Sequence, residues 1–218
     1  MFDNRVDAAR RLAKVLAPFA GKNPLVLAIP RGAVPMGREL ADALGGELDV
    51  VLVRKLGAPG AGEFAVGAID EAGWSYVADY AAEVGADEDY LAREKSAQIA
   101  LLRKRRLQYT PARHPIDPAG RVVIVVDDGL ATGATMIAAL HSVRARKPAS
   151  LLCAVPVAAR DSLAKVAPYA DKMICLETPA DFHAVSQFYR DFHQVEDEEV
   201  IEILKRPARG KAPEPLKR

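Results

Sequence analysis

The sequence predicts an α/β fold, a doubly wound and mostly parallel sheet with an inserted β-hairpin, and three observations predict it. Short β-rich runs alternate with stretches of helical periodicity along most of the chain, which is the pattern of βαβ units. The run Val122–Val126 is five consecutive β-branched residues, as expected of a strand covered on both faces. Asp70-Glu71-Ala72-Gly73 separates two β-rich runs by a turn short enough for an antiparallel return.

Taken in order, Asp3 is the expected N-cap of a helix reaching about Ala17, with Val6, Ala9, Leu12, Ala13 and Leu16 at helical spacing and Pro18 after its end. A strand from Leu25 to Ile29, a helix from Val34 to Leu44 and a strand from Leu48 to Val53 follow. Phe64 to Ile69 and Trp74 to Ala78 form the hairpin, and a long charged helix runs from about Asp87 to Tyr109. Beyond the proline-containing linker Pro111 to Gly120, the strand Arg121 to Val126 leads into a helix from Thr132 to Arg146. A strand from Leu151 to Val157, a short helix from Asp161 to Val166 and a strand from Met173 to Leu176 complete the alternation. Glu196 to Arg206 reads as a last helix, acids first and bases last as the helix dipole prefers. Residues 1–206 are expected to form one domain and 207–218 a frayed tail.

At 218 residues, 50% hydrophobic and 27% charged, the chain can bury a core without a metal or disulfide to staple it. A net charge of +1 argues against a dedicated nucleic-acid partner. Both cysteines, Cys153 and Cys175, sit in apolar stretches and read as buried thiols, which suits a reducing cytoplasm. Acids and bases precede any apolar run at the N-terminus, and no apolar segment has bilayer-crossing length, so neither export nor membrane insertion is expected. The four histidines show no metal-ligand spacing.

The chemistry concentrates in Val122-Val-Ile-Val-Val-Asp-Asp-Gly-Leu-Ala-Thr-Gly-Ala-Thr135. Carboxylates at the end of a central strand, here Asp127 and Asp128, face the crevice where α/β sheets bind ligands, and they can accept hydrogen bonds from vicinal ribose hydroxyls. Gly129 and Gly133 permit close backbone approach, while amides at the helix start, with the hydroxyls of Thr132 and Thr135, can surround a phosphate dianion. No lysine stands before Thr135, which rules out a Walker-type phosphate loop.

This stretch resembles the phosphoribosyl-pyrophosphate motif of type I phosphoribosyltransferases: apolar strand, two acids, two small or apolar residues, then Ala-Thr-Gly-x-Thr. The resemblance implies that fold, with a flexible loop and a small C-terminal hood from about residues 177–195. It assigns the ribose hydroxyls to Asp127 and Asp128, and the 5-phosphate to Gly129 and to Ala131, Thr132, Gly133, Ala134 and Thr135. Enzymes for 6-oxopurines usually carry an aspartate where this chain has Ala131, so hypoxanthine and guanine are poor candidates as acceptors.

Ala28-Ile-Pro-Arg-Gly-Ala-Val-Pro35 stands where the family keeps its pyrophosphate loop, and Arg31 with the amides of Gly32 and Ala33 supplies a cation and donors for that group. Val53-Arg-Lys-Leu-Gly-Ala-Pro-Gly-Ala-Gly-Glu63 stands where the family places a flexible closing loop, so Arg54 and Lys55 are expected to reach pyrophosphate. The order of these segments, with Phe-Ala-Val-Gly-Ala and the late Phe182 to Phe192 run, resembles a bacterial group of phosphoribosyltransferase-like proteins over about Asp3 to Leu204. Some of that group are fused to hydrolase domains, and no Gly-x-Ser-x-Gly occurs here. The acceptor is not supplied by the resemblance.

The implied reaction displaces pyrophosphate from the anomeric carbon by a ring nitrogen, with Arg31 and Lys55 stabilising charge. Mg²⁺ is the implied cofactor, held indirectly by Asp127 and Asp128 through ribose or water. Phe182, His183 and Tyr189 are the hood residues expected to meet the acceptor. Six bases between Arg93 and Arg106 read as a solvated helix face, and Ser162-x-x-Lys165 as a chance match. The alternative function is a non-catalytic regulator that senses phosphoribosyl pyrophosphate or nucleotides. A homodimer is expected from the family.

Overall fold

A computed structural model describes residues 1–111 and 114–207. The expected tail lies, apart from Pro207, outside the described residues. Five strands form a parallel sheet in the order β2-β1-β6-β7-β8: β1 (Leu25–Ala28), β2 (Glu47–Val50), β6 (Val122–Val126), β7 (Ser150–Val157) and β8 (Lys172–Glu177). Three more form an antiparallel sheet, β3 (Val53–Ala58), β4 (Ala61–Asp70) and β5 (Ser75–Val77). The helices are α1 (Arg5–Leu16), α2 (Val34–Leu44), α3 (Glu88–Tyr109), α4 (Ala134–Ala145), α5 (Arg160–Val166) and α6 (Asp197–Lys205).

β6 occupies the middle of the parallel sheet, which is why its apolar run is unbroken. Alternate residues serve opposite faces: Val26, Ala28, Ile124, Val126, Leu152 and Ala154 enter a core with α1 and α2. Leu25, Leu27, Val123, Val125, Leu151, Cys153 and Val155 enter a second core with Met136, Ala139, Leu140 and Val143 of α4. From β1 the chain crosses to β2 on one side, and from β6 to β7 on the other. The switch point therefore falls between β1 and β6, paired in register from Leu25↔Val123 to Ala28↔Val126. Their carboxyl ends open a crevice there.

Several boundaries differ from the sequence expectation. The helix cap is Asn4, whose side chain accepts from the Asp7 amide, rather than Asp3. α1 turns Arg5, Ala8, Ala9, Leu12 and Leu16 inward, so an arginine sits on the buried face. The expected strand Leu48 to Val53 is split, because the chain leaves the parallel sheet after Val50 and joins the antiparallel one at Val53. The glycine-rich segment expected as a flexible loop is largely β3, paired with β4 through Leu56↔Gly67 and bulged at Gly57. Its turn is made at Gly60, in the left-handed region with φ 71°. α4 starts at Ala134 rather than Thr132, with Gly133 as its N-cap at φ 78°.

The small sheet rests against α4 through Trp74 and Tyr76, stacked on His141 at 5.0 and 5.9 Å, while Tyr169 from the turn after α5 packs on the same imidazole at 4.5 Å. Ser142 adds a buried hydrogen bond to Asp70. Arg106, expected on the solvated face of α3, is instead buried. It donates to Glu71, to Asp49 at 2.9 Å and to the Val50 carbonyl at 2.9 Å, so desolvation is offset by two carboxylates. No helix of the described residues is long and apolar enough to cross a membrane.

Candidate functional site

Strand β6 ends at Val126, and the next two residues turn their carboxyls in different directions. Asp127 lines a cleft of about 190 Å³ together with Lys55, Gly129, Leu130, Ala131, Thr132, Gly133, Thr135, Met136 and Val185. Asp128 points toward the turn after β1, where its Oδ2 lies 2.9 Å from both Nε and Nη2 of Arg5. Burial pushes the Asp127 carboxyl well above the usual carboxylate range, and the neighbouring Asp128 adds to the rise. Burial raises Asp128 too, against the opposing effect of Arg5. Two adjoining carboxyls poised in this way favour an incoming hydrogen-bond donor or cation.

The loop after the acids is fastened from its outer side. Leu130 pairs with the segment after β7, its amide donating to Val157 and its carbonyl accepting from Ala159. Ser162 donates to the Ala131 carbonyl at 2.5 Å, so a serine that reads as a chance match in the sequence has a structural use. These bonds occupy loop carbonyls, while the first amides of α4 have no intrahelical acceptor. Lacking a Cβ, Gly129 lets Val185 close over the loop, because a methyl group there would come within 2.7 Å of Val185 Cγ1. Gly133 faces Val166 at the same 2.7 Å and has a left-handed backbone, so it admits no larger residue without strain.

The turn after β1 lies against Asp128. The Pro30–Arg31 peptide is cis, and Arg31 pairs with Glu196 at 3.1 Å. Gly32 abuts Asp128 so closely that a methyl group would overlap Oδ2. Ala33 is buried as the residue before α2. Arg54 and Lys55 are exposed on β3. They line a second cleft with Tyr90, Glu94, Gln98, Arg105 and Thr135, and Lys55 and Thr135 are common to both clefts.

The hood segment differs most from expectation. Tyr189 is 6% exposed, packs on Phe2 and Phe192, and donates its hydroxyl to the Asp128 carbonyl at 2.7 Å. It thus braces the acids and presents no free ring face to an acceptor. Phe182 is half-buried and stacked on Phe188, and His183 is exposed beside Asp181 at 2.8 Å. Nothing in the sequence singles out Arg5 or Val185, since each lies far along the chain from the segment it supports. Cys153 is buried and Cys175 half-buried, and burial pushes the Cys175 thiol up to about 11.

Fold and site together define a doubly wound α/β protein with an acid pair and a glycine-containing loop at its switch point. A family model for the phosphoribosyl transferase domain matches residues 3–193, and the chain belongs to that family. Rv0571c of Mycobacterium tuberculosis strain H37Rv, a candidate phosphoribosyl transferase by name, is 43% identical over 211 residues, covering 96% of this chain and 47% of its own length. MT0597 of strain CDC 1551 matches equally. The chain thus spans about half the length of the curated relatives it matches. The crystal structure of TT1426 from Thermus thermophilus superposes with a TM-score of 0.83 at 46% identity, over 93% of this chain and 97% of that one.

Proposed function

We propose that this chain transfers the 5-phosphoribosyl group from phosphoribosyl pyrophosphate to a nitrogenous base or similar acceptor, releasing pyrophosphate. The observation that carries the reading is the single cleft in which Asp127 and the loop from Gly129 to Thr135 face one another, with Lys55 at its rim. In this reading the amides and hydroxyls of Ala131, Thr132, Gly133, Ala134 and Thr135 receive the 5-phosphate. Asp127 and Asp128 accept from the ribose hydroxyls. Arg31, on exchanging Glu196 for the ligand, joins Gly32, Ala33, Arg54 and Lys55 around pyrophosphate.

A nitrogen lone pair of the acceptor forms the new bond to the anomeric carbon as the bond from that carbon to pyrophosphate oxygen breaks. Positive charge develops on the sugar, the electron pair leaves with pyrophosphate, and the proton of the acceptor's ring N–H is released to water. Arg31 and Lys55 stabilise the charge on that leaving group, and the fixed sugar brings the reacting atoms into line.

Magnesium fits the donor set in one manner only. The described residues hold no cluster of three or more metal-ligating side chains, which suits an ion that keeps waters and takes most of its ligands from substrate phosphates. Asp127 and Asp128 would hold it through ribose or water, and when bound it would neutralise pyrophosphate. The acceptor would meet Val185, Phe182 and His183 rather than Tyr189. Ala131 offers no carboxylate for a base proton, so 6-oxopurines remain disfavoured. Cytoplasmic location and a homodimer complete the reading, the first supported by the free thiols. No finding favours the regulator alternative.

The test is pyrophosphate release from phosphoribosyl pyrophosphate with magnesium across a panel of purines, pyrimidines and related heterocycles. Turnover with at least one base is expected. Asp127→Asn should reduce it by about 100-fold or more, the scale seen when a preorganised polar contact to the reacting group is lost. Binding without turnover on any acceptor would count for the regulator, and no binding at all would remove the ribose-phosphate reading.

A further inference from the structure

Arg5 lies on the inward face of α1 and is 8% exposed. Its Nε donates to Asp128 Oδ2 at 2.9 Å, and its Nη2 stands 2.9 Å from the same oxygen. Nη1 donates to the His193 carbonyl at 2.7 Å, and the guanidinium carbon lies 3.8 Å above the Phe192 ring. A methyl group on Gly32 would come within 3.2 Å of Nη2. One side chain therefore touches the acid pair, the hood and the turn after β1. An ammonium group could not repeat this, because it lacks the planar fork that reaches two acceptors while stacking on a ring.

We propose that Arg5 is a positioning residue for the sugar site: it grips Asp128 by Oδ2 alone, leaving Oδ1 for a ribose hydroxyl, and ties that acid to the hood through His193 and Phe192. The inference rests on the ribose-phosphate reading and deepens it. The Arg5 Nε hydrogen bond and the Nη2 ion-pair contact both fall on one oxygen, so the carboxylate is held there without being wholly consumed. Tyr189, donating to the Asp128 carbonyl at 2.7 Å, fixes the backbone of the same residue. Arg5 does not line the cleft with the 129–135 loop, so its influence should fall on the diol and spare the phosphate.

This separates positioning from mere support. Calorimetry would compare ribose 5-phosphate with 2-deoxyribose 5-phosphate for wild type, Arg5→Gln, Arg5→Lys, Asp128→Asn and the Arg5→Gln/Asp128→Asn double variant, with melting curves alongside. Arg5→Gln should lose about tenfold in affinity for the ribose compound, the scale of a charge-assisted hydrogen bond, and stay within about twofold for the deoxy compound. Arg5→Lys should fall between, and the double variant should be no worse than Asp128→Asn. Equal weakening toward both sugars, an unchanged preference, or additive losses at the two positions would overturn the proposal. If Arg5→Gln does not fold, Arg5→Lys carries the same comparison, and an unchanged ribose preference there overturns it. A wild type that ignores the 2-hydroxyl overturns the ribose reading and this inference together, an outcome distinct from failure of Arg5 alone.

Discussion

Gly32 follows the cis Pro30–Arg31 peptide and packs against Asp128 with no room for a side chain. Adding one methyl group forces either the carboxylate or the turn to move, and both belong to the proposed pocket. Gly32→Ala is expected to weaken ribose 5-phosphate binding by about tenfold or more, while overpacking costs about 1–3 kcal/mol of stability. Calorimetry and urea unfolding would check the two effects separately, and full affinity in the variant would show that the close approach has no bearing on the ligand. Asp127, Asp128, Gly129 and Gly133 are legible in the sequence because they are contiguous and their local roles require these residue types. Arg5 is not legible: at that position its charge is indistinguishable from those of Arg10 and Arg11, which make exposed ion pairs with Glu39 and Asp7.

Helix α3 shows the same limit for an element. Its extent from Glu88 to Tyr109 follows from Asp87, which accepts from the Tyr90 amide at 2.7 Å, and from a long charged run. Four adjacent bases, Arg103 to Arg106, end that run, and nothing local says which of them turns inward. Tertiary packing selects Arg106, which reaches Glu71 near the hairpin turn and Asp49 in β2. Arg106→Met should therefore destabilise the fold by about 3–5 kcal/mol, since it removes the buried guanidinium that pairs with Glu71 and Asp49. Urea denaturation would measure this, and a cost below about 1 kcal/mol would show that the network is dispensable. β3 is a second case: its glycines suggest a mobile loop, but Val53, Leu56 and their pairing with β4 make a bulged strand.

At the scale of the whole molecule, the proposed site draws on α1, the turns after β1 and β6, β3, α5 and the hood, so a ligand should brace the entire fold. If phosphoribosyl pyrophosphate binds the native state alone, a concentration about 100 times its Kd adds about 2.7 kcal/mol of stability. A corresponding rise in melting temperature is expected for the wild type with magnesium, and almost none for Asp127→Asn. A wild-type melting curve indifferent to the ligand would contradict the proposed function.

By itself the sequence determined the α/β alternation, the central place of Val122–Val126 and the acid-and-loop segment after it, because each is encoded by neighbours within a few residues. Only the tertiary structure decided that Arg5 grips Asp128, that Tyr189 braces it instead of facing an acceptor, that Val185 closes the loop and that Arg106 is buried. Those contacts join residues many positions apart, and such pairings come into being only when the helices and the hood are packed onto the sheet.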